Sequence, residues 1–228
     1  MYIFDKKHYV ENQIIYSELN KWFMVQIPKN ASTTIHVFLK SLTPKVAKTL
    51  DIKILSSTLD IYHNKPKSIV KEFPELKYFT RLCIVRNPWD RCLSYYTFRL
   101  KQSARRKSYQ THSRLIREGF KNSWMPGGFF SDHLSMNCSS QPNGRDWLCS
   151  DTQSSWCDKK TKHFKLEDGL DKLYNYIGVD NDIQKKHNTK KIYNISKHYD
   201  YQDYYDKELK DRIVKLYKKD IDNFGYTF

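Results

Sequence analysis

Residues 23–39, FMVQIPKNASTTIHVFL, constrain the fold more than any other stretch, because an apolar run passes abruptly into a basic, hydroxyl-rich loop and then into a helical pattern. Phe23, Met24, Val25 and Ile27 suit a buried parallel strand that Pro28 ends. Ser32, Thr33 and Thr34 can cap a helix carrying Ile35, Val37, Phe38 and Leu39. A helix N-terminus attracts an anion through its outward amides and partial positive charge, and Lys29 adds a full charge. The glycines of a Walker loop are missing, and GxxxxGK[ST] is matched nowhere in the chain. On these residues alone, a phosphate-binding loop stands beside the plainer reading of a capped core helix.

A second stretch repeats the pattern. In residues 79–100, FTRLCIVRNPWDRCLSYYTFRL, the apolar run 82–85 reads as a strand, and Arg86 falls at its carboxyl end. Asn87 and Pro88 supply an N-cap and a first helical residue, and Trp89, Cys92, Leu93 and Tyr96 follow at helical spacing. Ser94 then lies about two turns into that helix. Ligands of open α/β sheets bind at this edge.

The remaining chain is consistent with one α/β domain over residues 1–228, strands alternating with helices around a parallel sheet. Residues 1–20 read as an edge segment or short helix, 52–55 as a strand, 69–73 as a short helix and 162–166 as a strand. A helix is expected over 170–177, and a long amphipathic one over 203–224 with Leu209, Ile213, Leu216, Tyr217, Ile221 and Phe224 on one stripe, ended by Gly225. Residues 99–156 read as a loop-rich insertion on the acceptor side. Its aromatics Trp124, Phe129, Phe130, Trp147 and Trp156 offer stacking faces, though such rings more often anchor loops to a core.

Charge narrows the partner. The chain of 228 residues carries a formal charge of +15. Residues 1–114 hold 21 basic against 8 acidic side chains, and residues 115–228 hold 19 against 17, so the positive field belongs to the N-terminal half. An anionic partner follows: a phosphorylated cofactor, an acidic polysaccharide or nucleic acid. Five cysteines show no zinc-site spacing, and they read as buried thiols of a reducing compartment, with a disulfide among Cys138, Cys149 and Cys157 left open. The absence of a long apolar run or signal peptide implies a soluble protein, cytoplasmic, or lumenal if a leader or anchor has been removed.

The pair IPKNASTT and VRNPWDRCLSYY, with the ending KKHNTKKIY, YYD and LYKKDIDNFGYTF, resembles the sulfotransferases, in particular the carbohydrate sulfotransferases and their small bacterial relatives. The resemblance covers most of the chain outside 99–146. It implies a three-layer, P-loop-like α/β fold with a central parallel sheet flanked by helices. The activity it implies is transfer of a sulfuryl group from 3′-phosphoadenosine 5′-phosphosulfate (PAPS) to an acceptor hydroxyl, that of a carbohydrate, leaving PAP, without a metal and without nucleic acid as partner. By position, Lys29 would contact the 5′-phosphosulfate, Asn30, Ala31, Ser32, Thr33 and Thr34 would cradle it, and Arg86 and Ser94 would grip the 3′-phosphate. His63, between the two motifs, is the implied base, with Glu72 and Glu75 as substitutes and His36 and His187 ranked below it. Lys190 and Lys191 could reach either nucleotide or acceptor. Two other classes stand beside this one: a P-loop kinase of small molecules, for which a Walker lysine and a metal-binding carboxylate are not evident, and a non-enzymatic polyanion-binding module, suggested by the basic run 99–107.

Overall fold

A computed structural model describes residues 13–56, 65–104, 151–186 and 200–228. In chain order these form β1 (Gln13–Ser17), β2 (Trp22–Met24), α1 (Ser32–Ser41), α2 (Pro44–Thr49), β3 (Lys53–Ser56), α3 (Pro66–Glu72), β4 (Thr80–Val85), α4 (Pro88–Ala104), β5 (Thr161–Lys165), α5 (Asp171–Tyr176), α6 (Asn181–Lys186) and α7 (Lys207–Phe224). They fall into two compact units, Met1–Val85 with Ser155–Asn194, and Arg86–Ser154 with Ile195–Phe228.

The first unit holds the sheet, in the order β3-β1-β2-β4-β5. Its centre is parallel as expected: Trp22 pairs with Thr80 and Met24 with Leu82, and β4 pairs with β5 from Arg81–Thr161 to Val85–Lys165. The other side runs antiparallel, β1 against both β2 and β3, so the sheet is mixed. The segment read as an edge or short helix thus supplies strand β1. One face of the sheet, with Ile15, Trp22, Met24, Leu82, Ile84 and Phe164, packs on Ile35, Phe38 and Leu39 of α1 and Leu173 and Tyr174 of α5. The Phe38 and Tyr174 ring centroids lie 4.5 Å apart. Phe23, Val25, Cys83 and Val85 alternate with that set and are buried as well, so the central strands are covered on both faces, as parallel strands require.

Local sequence explains most boundaries. Thr43 caps α2, its hydroxyl accepting from the Val46 amide, and Pro44 occupies the first turn. A proline that cannot continue α1 thus starts α2. Cys83 and Cys157 bring their sulfurs to 3.8 Å, which with burial pushes the Cys83 thiol pKa up; Cys138 and Cys149 lie outside the described residues.

The second unit is built on α4 and α7. α4 runs to Ala104, beyond the point where the sequence turns polar at Arg99. Asp206 caps α7 by accepting from the Leu209 amide, and Gly225, at φ 61°, closes it in the left-handed conformation. The buried stripe of α7 is Leu209, Ile213, Tyr217, Asp220 and Phe224. Leu216, assigned to that stripe from sequence, is 50% exposed. Tyr217 leaves helical geometry at φ −117°, and Asp220, at helical spacing from Leu209 and Ile213, lies on the inner face. Trp89, Tyr201 and Tyr205 each meet the Phe228 ring at steep angles, and the Tyr205 hydroxyl donates to the Trp89 carbonyl at 2.8 Å. Among the described residues no helix is long and apolar enough to cross a membrane.

Two stability measurements test this packing. Leu82→Ala, at the fully buried centre of β4, should cost about 2–5 kcal/mol in urea unfolding. His36, buried on α1 with Nδ1 at 3.3 Å from Gln26 Nε2, has its pKa pushed from 6.5 down to about 4, by burial first and then by the Lys40 charge. The unfolded chain therefore binds the proton more readily, and stability should be lost as pH falls from about 6.5 to about 4. Melting temperatures across that window should fall less steeply for His36→Gln; parallel curves would contradict the assignment.

Candidate functional site

In the first unit, β2 gives way to a loop that takes glycine-like backbone without glycine. The Val25 amide prolongs the parallel pairing by donating to the Leu82 carbonyl at 2.8 Å. Two residues then take positive φ without being glycine, Lys29 at 67° and Ala31 at 59°. Each left-handed residue costs on the order of 1–2 kcal/mol. This is how the loop does without the glycines of a Walker sequence.

Asn30, between them, is buried and donates from Nδ2 to the Ile84 carbonyl at 2.7 Å, while its own amide meets the Ile27 carbonyl at 3.3 Å. Its side chain ties the loop to β4 and its amide closes the turn, so Asn30 shapes the cradle from behind.

α1 begins at Ser32. Its N-cap is Ala31, with no side-chain hydrogen bond, so the expected hydroxyl cap is absent and Ser32, Thr33 and Thr34 lie inside the first turn. First-turn amides point out of a helix end, the arrangement that receives an anion. Ser32 and Thr33 are half-buried beside half-buried Lys29, whereas Thr34 is buried against the core. His36 is neutral and enclosed, unsuited to taking a proton from a substrate. Glu75 lies on the short turn Pro74–Tyr78 that leads into the amino end of β4, opposite the end at which the loops leave.

In the second unit, Arg86 is the first residue beyond β4. Its guanidinium forms a two-point pair with Asp90, Nε to Oδ2 at 2.7 Å and Nη2 to Oδ1 at 2.8 Å. Asp90 and Ser94 are four residues apart on α4 and share a face, so the pair holds the Arg86 head on the face that carries Ser94. Ser94 is buried.

Asn87 caps α4 as the sequence predicts, accepting from the Trp89 amide at 3.0 Å, and its Nδ2 reaches the Thr227 carbonyl at 3.0 Å and the Tyr201 hydroxyl at 3.3 Å. Burial raises the Tyr201 phenol pKa. Behind Arg86 lies Gln153, which pairs with both of its backbone groups, and behind Gln153 lies buried Asp220.

Asp90, Gln153 and Asp220 are absent from the sequence reading. Asp90 carried a signal, an acid four residues after a strand-end arginine; Asp220 carried one too, as the acid on an otherwise apolar stripe of α7. Gln153 carried none. His63, His187, Lys190, Lys191 and the rings of Trp124, Phe129, Phe130 and Trp147 lie outside the described residues. Trp156 is buried, an anchor in place of a stacking face.

A family model described as "Sulfotransferase family" matches residues 12–227. No curated protein matches the sequence. Among solved structures, mouse sulfotransferase SULT7A1 complexed with PAP is similar at a TM-score of 0.47 with 12% identity, over 91% of this chain and 86% of that one. Because the family match runs through both basic loops and on through α7, the chain belongs to the sulfotransferase family and is a PAPS-dependent sulfotransferase.

Proposed function

We propose that the protein transfers the sulfuryl group of PAPS to a carbohydrate hydroxyl, with Lys29 and His63 as catalytic residues. The observation that carries this reading is the loop before α1, where two non-glycine residues hold left-handed backbone to set Lys29 beside the helix N-terminus. A built anion cradle of this kind fits the 5′-phosphosulfate. Ala31, Ser32 and Thr33 line it, Asn30 and Thr34 support it from the buried side, and Arg86 with Ser94 takes the 3′-phosphate.

In the reaction the acceptor oxygen attacks sulfur in line. The bond from sulfur to the bridging phosphate oxygen breaks, the acceptor proton passes to His63, and a sulfate ester and PAP result. Negative charge grows on the bridging oxygen, where a fixed cation lowers the barrier most, and Lys29 supplies that cation without a metal. A neutral imidazole takes the hydroxyl proton near neutral pH. The carbohydrate assignment rests on the family branch that the motifs resemble and on the basic N-terminal half, which suits an acidic sugar polymer.

Calorimetric titration should show tight PAP binding without magnesium; magnesium-dependent ATP binding in its place would favour a kinase. Lys29→Ala should lower kcat by about 10²–10³-fold, and His63→Ala should remove transfer while PAP binding persists. Full transfer by His63→Ala would dismiss the assigned base. A screen of acceptors with radiolabelled PAPS should label carbohydrates, and label appearing only on other hydroxyl compounds would overturn that acceptor class.

A further inference from the structure

Arg86 is gripped from two directions in the second unit. Its head is held by Asp90, as described. Its backbone is held by Gln153, whose Oε1 accepts from the Arg86 amide at 2.8 Å and whose Nε2 donates to the Arg86 carbonyl at 2.8 Å. A side-chain amide that meets both backbone groups of one residue makes the pair of bonds a neighbouring strand would make. Gln153 therefore extends strand-like pairing to the first residue beyond β4, where chains ordinarily loosen into a loop.

Gln153 is itself fixed. It is fully buried, its amide donates to Asp220 Oδ2 at 2.7 Å, and the next amide, of Ser154, donates to Asp220 Oδ1 at 2.7 Å. Asp220 is fully buried on α7, and each of its two oxygens takes one of these amides. The Ser154 hydroxyl adds a bond to the Lys219 carbonyl at 3.3 Å and accepts from Asn223 Nδ2 at 3.0 Å. Each step of the chain from α7 to Arg86 is a two-point contact, which fixes orientation as well as distance.

We infer that Gln153, seated on Asp220, is a positioning residue that pre-sets Arg86 for the 3′-phosphate and so sharpens discrimination between PAP and nucleotides that lack this group. The inference rests on the reading that Arg86 binds the 3′-phosphate. An arginine whose backbone and head are already ordered loses less conformational freedom when it takes a phosphate. Without Gln153 the Arg86 amide and carbonyl would seek other partners, and the guanidinium would keep its charge while losing its fixed origin.

The test compares PAP with 5′-AMP, which lacks only the 3′-phosphate, by calorimetry on the full chain. Gln153→Met keeps the side-chain length and removes both hydrogen bonds, Gln153→Ala removes the side chain, and thermal melts establish that each variant is folded. The Met variant should bind PAP about tenfold more weakly, the scale of one or two net hydrogen bonds, with 5′-AMP affinity nearly unchanged. In turnover, KM for PAPS should rise while kcat at saturating PAPS holds. A merely structural residue would weaken both nucleotides together or lower kcat, and either result overturns the inference. Arg86→Ala serves as the reference. If it collapses the preference for PAP over 5′-AMP while both Gln153 variants retain the preference, Gln153 is not a positioning residue. If Arg86→Ala itself leaves the preference intact, the assignment of Arg86 to the 3′-phosphate falls, and the role of Gln153 falls with it.

Discussion

The parallel pairing of β2 with β4 is the constraint on which the rest depends. Because Trp22 lies beside Thr80 and Met24 beside Leu82, both strands end at the same edge of the sheet, and the Val25 amide carries the pairing one residue further. The chain thus leaves β2 through the Lys29 loop at the edge of the sheet where β4 also ends, at Val85. The bond from Asn30 Nδ2 to the Ile84 carbonyl fastens that loop to the neighbouring strand. An antiparallel pairing would send the carboxyl ends of β2 and β4 to opposite edges of the sheet. β1 and β3, which do run antiparallel, complete the sheet beyond β2.

The loop trades local strain for a fixed shape. Lys29 and Ala31 in left-handed backbone cost on the order of 1–2 kcal/mol each, and a glycine at either position would relieve much of it. Glycine would also leave the loop more freedom in the unfolded chain and, at position 29, would remove the charge. The Asn30 bond, buried and 2.7 Å long, offsets part of the strain and would leave an unpaired polar group behind if the loop opened. A site that must oppose charge developing on a leaving oxygen benefits from such rigidity, since its dipoles need no rearrangement during the reaction.

Elements announced by apolar periodicity were legible in the sequence: β2, β4, β5, the Asn87 cap and the Gly225 end of α7 fall where spacing and turn chemistry put them, although α7 begins at Lys207 and not at residue 203, which lies on a separate turn. The two basic strand ends were legible for the same reason. β1 was not, because a five-residue strand among mixed polar and aromatic residues resembles its surroundings, and α6 was hidden in a polar run. The inner face of α7 was misread at Leu216, which is exposed, and at Ile221, which is only half-buried, while Asp220 was passed over, since hydropathy prefers a leucine to an aspartate. Asp220 shows the limit most clearly. A carboxylate is buried only where fixed donors await it, and its donors here are backbone amides 66 and 67 positions away. Backbone amides are the same in every sequence, so the stripe could mark Asp220 as an acid facing inward but no side-chain pattern could name its partners. Gln153 is invisible for a related reason: it acts on the backbone of Arg86, and any residue at position 86 would offer the same groups.

The two proposed donor contacts differ in a way that matches what each must do. The 3′-phosphate carries the same charge before, during and after transfer, so an interaction with it binds ground state and transition state alike and governs affinity more than rate. A planar, always-charged fork suits that task, and the structure fixes it in advance through Asp90 and Gln153. Asp90 also lowers the net charge that the arginine presents, which costs attraction and adds directionality. The bridging oxygen is the opposite case, since its charge appears only as the bond to sulfur breaks. A compact ammonium concentrates its charge on one such oxygen, and Lys29 is half-buried on a backbone that the loop has already bent into place. Exchanging the two residues would therefore invert the design: a delocalised fork would face the single bridging oxygen, and a point charge would face the phosphate that a planar fork matches.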